Sequence, residues 1–362
     1  MRIKSAFTAL IAGSLLLCAS PALAWNGRGH MIVAAVAWTH MDAKTQKRAA
    51  ALIKLNPFYA SWIVGVPKKD QAQITFVIGA TWPDLIKKFQ GNCPKQPKPN
   101  SGPLYNYTYC NDTDDPTRSG AAAGQNVGYT DPLEHKYWHF YDQPFSTDGT
   151  PTTAPVAPNA RTQIGLLRTA IADDATPDAL ESYDLVWLEH MVGDVHQPLH
   201  AVQRYSAALP NGDIGGNSVC TGTHMGKDPK TGKPKCSSEL HAFWDNALGV
   251  QVSPGALPAL KKKKKAPAKI GIDAYNAYQA IDAAAALSAT PPASAVDVAD
   301  EDKWLDESFT LATQNAYSAP VGAGIGPYAL DAAYTDNTRK IVELRAELAG
   351  ERLARLLDEH LH

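Results

Sequence analysis

The sequence predicts an all-α fold, a compact helical bundle with long, disulfide-tied loops. Three observations carry that expectation. Apolar residues recur at helical spacing wherever a pattern is visible, alternating strand patterns are nearly absent, and the helical pieces are joined by loops rich in Gly, Pro, Asn and Thr that hold the cysteines. In chain order the helical pieces are 31–38, 44–55, 71–87, 161–171, 183–195, 239–248, 275–287, 303–312 and 338–357. The last shows the logic. Ile341, Leu344, Leu348, Leu353, Leu356 and Leu357 form an apolar stripe while Glu343, Arg345, Glu347, Glu351 and Arg352 keep other faces polar, the pattern of an outer helix. The loops 91–130, 143–159 and 206–237 are long for a compact domain, as expected of segments that are disulfide-tied or functional.

Residues 1–24 have the layout of an export signal: Arg2 and Lys4, an apolar stretch from Ala6 to Leu17, and the cleavage box Ala22-Leu23-Ala24. The mature chain is therefore expected to begin at Trp25, to form one domain over 25–362, and to be secreted or periplasmic without a membrane span. Cleavage removes Cys18 and leaves Cys93, Cys110, Cys220 and Cys236, an even count in an oxidising compartment that implies two disulfides. The spacings suggest Cys93 with Cys110 and Cys220 with Cys236, although other connectivities are open. The formal charge of −2 becomes −4 once Arg2 and Lys4 are lost, which excludes the basic footprint of a duplex-DNA binder. The lysine run 261–265, between Pro258 and Pro267, could suggest a polyanion contact, but a solvated, mobile tract is the expected reading.

Candidate chemistry lies in the histidines and aspartates. His190 and Asp194 are four apart, as are His241 and Asp245, and residues four apart project from one face of a helix. His200 follows Gln197-Pro198, where proline ends the helix and turns the chain so that it can approach the same cavity. His139, in Trp138-His139-Phe140, and Asp84, in Thr81-Trp82-Pro83-Asp84, sit in apolar settings where an unpartnered charge is costly and a metal would remove the cost. His30 lies close to the expected new terminus. The α-amino group of Trp25, with a pKa of about 7.7 to 8.0, can shed its proton to a metal near neutral pH, and its carbonyl could close a chelate ring. Imidazole with carboxylate and no thiolate points to zinc with open, catalytic positions. Each pair alone is ordinarily a simple hydrogen-bonded pair; two in one chain, with the other candidates, make that account hard to sustain. No H-E-x-x-H helix is present, which argues against the commonest zinc peptidases. His40, His135, His196, His224, His360 and His362 fall outside the pattern and are expected at the surface or behind the ligands.

Together, Trp25-Asn26-Gly27-Arg28-Gly29-His30, Trp82-Pro83-Asp84, His139-Phe140-Tyr141-Asp142, His190-Met191-Val192-Gly193-Asp194, Gln197-Pro198-Leu199-His200, Gly215-Gly216-Asn217 and Leu240-His241-Ala242-Phe243-Trp244-Asp245 resemble the trinuclear-zinc single-strand nuclease family of fungi, plants and bacteria. The motifs run from Trp25 to Asp245; the remainder matches only as helices. The resemblance implies three Zn2+ per chain: one on Asp84, His139, His190 and Asp194, one on His200, His241 and Asp245, and one on the amine and carbonyl of Trp25 with His30 and a bridging Asp194. It implies hydrolysis of single-stranded RNA and DNA to 5'-phosphate products, action on 3'-mononucleotides, and a monomer. Asp142 would orient the attacking water, Lys87 and Asn217 would touch the phosphate, and Phe140 would stack a base against Ile214. Such stacking is worth roughly 1 to 3 kcal/mol per base and ignores its identity.

Two departures matter. The segment between His200 and Gly215 is longer than in fungal relatives, and Cys220 to Cys236 encloses a further insertion, so the rim of the cleft is expected to be remodelled. The nearest alternative chemistry is a zinc-dependent phospholipase C, but those relatives carry Glu at the position of Asp245 and a longer gap from the terminal Trp to its partner His. An alternative of another class is a secreted helical binding protein using zinc for structure alone.

Overall fold

One buried helix organises the molecule, a computed structural model that describes residues 25–87, 120–131, 133–222, 225–227, 234–236 and 238–361. In chain order the helices are α1 (Gly27–His40), α2 (Ala43–Ile53), α3 (Tyr59–Trp62), α4 (Gln71–Gly79), α5 (Trp82–Ile86), α6 (Ala160–Ile171), α7 (Asp178–His196), α8 (Leu240–Asp245), α9 (Leu257–Lys262), α10 (Ile272–Ala284), α11 (Ala293–Val296), α12 (Glu301–Leu311) and α13 (Ala332–His360). The all-α expectation holds. The strand content of the described residues is β1 (Pro144–Ser146) pairing in parallel with β2 (Gln203–Tyr205), and β3 (Gly226–Lys227) pairing antiparallel with β4 (Pro234–Lys235).

Helix α7 is buried at every position from Glu181 to His196, so it is the axis on which the others pack. Asp178 and Glu181 lie in its first turn, where acidic side chains suit the helix dipole. Helix α1 is buried from Gly29 to Ala37 and is capped by Asn26, whose side chain accepts from the amides of Arg28 and Gly29. A single apolar cluster extends from Trp25 to Leu361.

The long segment 71–87 is two helices rather than one. Proline at position 83 has no N–H for the Gly79 carbonyl, and its ring would strike that carbonyl in a continuous helix, so the chain turns at Ala80-Thr81 and restarts as α5. The last helix is also less peripheral than its pattern implies. It packs most extensively on α1, and a Cβ on Gly350 would lie 2.5 Å from Val36 Cβ, so glycine permits the close approach.

Two of its expected polar-face residues, Arg345 and Arg352, are buried. Arg352 forks onto both Glu307 oxygens at 2.7 and 2.8 Å and also donates to His196 Nε2 at 2.9 Å, while Arg345 Nη1 reaches Glu307 at 2.7 Å. One carboxylate thus balances two buried cations. Glu307→Ala should cost about 3 kcal/mol in thermal or urea unfolding, because both guanidinium groups lose their counter-charge; a loss below about 1 kcal/mol would show that water compensates them.

Cys220 and Cys236 are bonded, as expected, while Cys93 and Cys110 lie outside the described residues, as do residues 1–24, His224 and His362. The loop after β2 is fastened down by Arg204 Nη1 to Gly322 O at 2.8 Å, Ser206 Oγ to Ala323 O at 2.9 Å and Cys220 N to Ile325 O at 2.7 Å. No helix among the described residues is long and apolar enough to cross a membrane.

Candidate metal centre

Helix α7 carries His190 and Asp194 one turn apart, both fully buried, and the other candidates gather around them. Helix α1 brings His30, whose ring stacks on His190 at 3.7 Å between centroids. Gly193 makes room, since a Cβ there would lie 2.9 Å from His30 Nδ1. Short α5 brings Asp84, a 3-10 turn at Lys136–His139 brings His139, and the 3-10 turn after Pro198 brings His200. Helix α8 contributes His241 and Asp245. Of the six other histidines, His40 is exposed, whereas His135 and His196 are buried, His135 stacking on Trp138 at 3.6 Å.

Asp194 stands at the middle. One of its oxygens faces His139 Nδ1 at 3.0 Å and His190 Nε2 at 3.2 Å; the other faces His30 Nε2 at 3.3 Å and His200 Nδ1 at 3.6 Å. Three buried sets of ligand atoms could each hold an ion: His30, His190 and Asp194; Asp84, His139 and His190; and His200, His241 and Asp245.

Backbone carbonyls orient the rings. His190 Nδ1 donates to Ala80 O at 2.7 Å, His200 Nδ1 to His139 O at 2.8 Å, and His241 Nδ1 to Gly215 O at 2.7 Å. A carbonyl only accepts, so each ring carries its proton on Nδ1 and turns the Nε2 lone pair inward. The turn between α4 and α5 is what leaves the Ala80 carbonyl available to His190. His200 Nε2 and His241 Nε2 then face each other at 3.2 Å. Two neutral rings set this way point lone pairs at one another, and a cation between them resolves the repulsion. His30 Nε2 and Asp194 Oδ1, which face each other, are buried without hydrogen-bond partners, a further sign that the donor set fits a metal. Gln197 ties the second group together, donating to Asp245 Oδ1 at 2.6 Å and accepting from Leu199 N.

Burial and the local charges favour the deprotonated form at His30, His139, Asp84 and Asp194, whereas at His190 the Asp194 and Asp84 carboxylates outweigh burial and raise the imidazole. Burial, then His190, lowers His30 to about 4; burial, then Lys87, lowers His139 to about 3. Burial alone would raise Asp84, but Lys87, whose Nζ lies 2.9 Å away, and the imidazoles outweigh it and hold the carboxyl well below the usual range. Asp194 is likewise held far down against its burial by His190, His200 and His30. Asp245, further from these cations, is pushed up by burial.

A cleft opens above the cluster, lined by His139, Phe140, Asp142, Leu199, His200, Ile214, Gly215, Asn217 and His241. Phe140, Asp142, Ile214 and Asn217 therefore line one cleft, whereas Lys87 is buried against Asp84 and does not line it. Burial, then the neighbouring Asp213, raises the Asp142 carboxyl to about 7. Ile214 has φ of 55°, followed by Gly215 at 54° and Gly216 at 85°, and the Asn217 amide donates to Ile214 O at 2.8 Å to hold the turn. Left-handed backbone at a β-branched residue is strained. Trp25 is buried with its ring over Gly29, where a Cβ would lie 2.5 Å from Trp25 Cε3. Asn26 next to it is pinned to Asn246 Oδ1 at 2.7 Å and Gly249 O at 2.6 Å.

Sequence patterns did not single out Asp213, Gln197 or the carbonyls of Ala80 and Gly215. Gln197 carried a signal, its place between a ligand helix and Pro198; the others act through contacts distant in sequence.

The family model described as S1/P1 Nuclease matches residues 25–362. Endonuclease 4 of Arabidopsis thaliana is 24% identical over 347 residues, covering 93% of this chain and 89% of that protein. The chain thus belongs to the S1/P1 nuclease family and is a hydrolase of phosphodiester bonds.

Proposed function

We propose that the mature protein, beginning at Trp25, is a zinc-dependent nuclease that cleaves single-stranded RNA and DNA to 5'-phosphate products and acts on 3'-mononucleotides. The observation that carries this reading is the inward aim of the imidazole Nε2 atoms, His190 toward Asp194 and His200 and His241 toward each other, fixed by Nδ1 donation to backbone carbonyls. Three zinc ions would be held by Asp84, His139, His190 and Asp194; by His200, His241 and Asp245; and by the amine and carbonyl of Trp25 with His30 and Asp194. The family match beginning at residue 25 supports the choice of terminus. When bound, zinc supplies Lewis acidity toward phosphate oxygens and lowers the pKa of water toward about 7.

The protein's own residues do the rest. Lys87 keeps Asp84 ionised, and the carbonyl-bound rings need no reorganisation to present their lone pairs. Asp142, with its carboxyl raised to about 7, is suited to accept a proton from the attacking water and orient it. Phe140 and Ile214 form a clamp for one base face, which a paired, stacked base cannot enter, hence the preference for single strands. Asn217 keeps the Ile214 wall in its left-handed turn.

Metal analysis of the mature protein, with a screen of single-stranded RNA, single-stranded DNA, duplex DNA, 3'-mononucleotides and phosphatidylcholine, tests the proposal. Bound zinc, turnover of the single strands abolished by EDTA and restored by Zn2+, and little duplex cleavage are expected. Turnover of phosphatidylcholine alone would replace this reading with a phospholipase, and hydrolysis indifferent to chelation would remove the metal from it.

A further inference from the structure

The lysine tract 261–265 is not the loose excursion that its composition implies. Lys261 and Lys262 end α9, Lys263 N bonds to Ala259 O and Lys265 N to Leu260 O, and the tract is clamped at both ends by the buried side chains of Leu257 and Ala266. Lys262, Lys263, Lys264 and Lys265 are exposed, as is Lys269 four residues on. Residues 258–270 contain no acidic residue, in a chain whose formal charge is −2. Holding like charges in one fixed place costs self-repulsion, which nearby carboxylates would normally relieve. Among the described residues none of these lysines forms an ion pair, although Arg48, Arg161, Arg168, Arg345, Arg352 and Arg355 all do.

The tract is also placed. On one side, Leu248 O accepts from Arg28 Nε at 3.0 Å and Gly249 O from Asn26, so the chain leaves α8 against the residues that follow Trp25. Val252 is then fixed to Asn276 by two hydrogen bonds, one helical turn from the start of α10. On the other side, Gly271 N bonds to Val64 O, and a Cβ on Gly65 would lie 2.3 Å from Lys269 O. That contact brings in the loop carrying exposed Lys68 and Lys69, whose neighbour Asp70 accepts from the Tyr278 hydroxyl at 2.8 Å. The tract is thus bounded by one segment held against Asn26 and Arg28 and by another held against the Val64-Gly65 turn, which leads into Lys68 and Lys69.

We propose that Lys261 to Lys265, with Lys269, Lys68 and Lys69, form a docking strip for the phosphodiester backbone of a nucleic-acid strand whose scissile bond lies in the cleft. The inference rests on the nuclease reading and deepens it, since the clamp at Phe140 and Ile214 engages single bases and the strip engages the strand beyond them. It makes affinity depend on strand length and salt, because each phosphate neutralised by a lysine releases a counterion.

The test compares wild type with a variant carrying Lys261→Gln, Lys262→Gln, Lys263→Gln, Lys264→Gln and Lys265→Gln, on a dinucleoside monophosphate and on a long single strand, over a range of salt. For the long strand KM should rise about tenfold at low salt, and the slope of log KM against log salt should fall by about 0.7 for each phosphate that a lysine no longer neutralises. Dinucleotide kcat and KM should not change. An unaltered KM and salt slope on the long strand, with dinucleotide turnover intact, overturns the strip while leaving the nuclease. Retention of wild type but not the variant on phosphatidylglycerol vesicles, with no change in long-strand KM, also overturns it and assigns the lysines to a membrane surface. Wild type that cleaves neither substrate removes the nuclease reading and the strip with it. Should the fivefold variant fail to fold, Lys262→Gln with Lys263→Gln is expected to move the same quantities in the same direction, and no movement there counts equally against the strip.

Discussion

Asp194→Asn should lower kcat by about a thousandfold and lose more metal than Asp84→Asn or Asp245→Asn. Its two oxygens face different partners, His139 and His190 on one side, His30 and His200 on the other, and the side chain is fully buried. Asparagine preserves the shape but offers one oxygen and no charge. Removing one partner of a buried charged set costs about 3 to 5 kcal/mol, and each 1.36 kcal/mol is a factor of ten in rate. Metal content and single-turnover cleavage of one oligonucleotide, measured on the three variants in parallel, decide the matter. A fall in kcat of less than tenfold for Asp194→Asn would mean that this carboxylate serves one ion or none. Intact thermal unfolding in all three variants separates a lost ligand from a lost fold.

Much of this centre is legible in the sequence because helical periodicity is short-range. His190 with Asp194 and His241 with Asp245 share a face by spacing alone, and the proline after Gln197 marks where the chain must turn. What stayed hidden is set by contacts between distant segments. The 71–87 segment reads as one helix by periodicity, and neither its break at Ala80-Thr81 nor the receipt of His190 by the Ala80 carbonyl is foreseen. Arg345 and Arg352 read as a solvent face because nothing local reveals Glu307 across from them. The Ile214 wall adopts a backbone that its side chain disfavours, so propensity points the wrong way at the place where function is expected. Likewise, the lysine run reads as solvated tract by composition, and only the buried Leu257 and Ala266 show that it is held in place.

A residue left ahead of Trp25 should suppress activity by at least about a hundredfold, with one metal equivalent lost, and should leave the helical content of the folded protein unchanged. The indole is seated over Gly29 and Asn26 is pinned to Asn246 and Gly249, so the backbone nitrogen of Trp25 is held in place by contacts that do not depend on its being a terminus. What changes on cleavage is the chemistry of that nitrogen. As an amide its lone pair is delocalised into the carbonyl; as an α-amino group it titrates at about 7.7 to 8.0 and can bind a metal near neutral pH. Loss of groups that merely support a ligand typically costs about 10- to 100-fold, so loss of a ligand should reach at least the upper end. The extension should be built with a specific protease site that ends immediately before Trp25. Cleavage should then restore both the missing metal and the rate in one preparation, which excludes misfolding as the cause. Equal activity before and after cleavage would mean that the terminal nitrogen is no ligand and that His30 and Asp194 act without it.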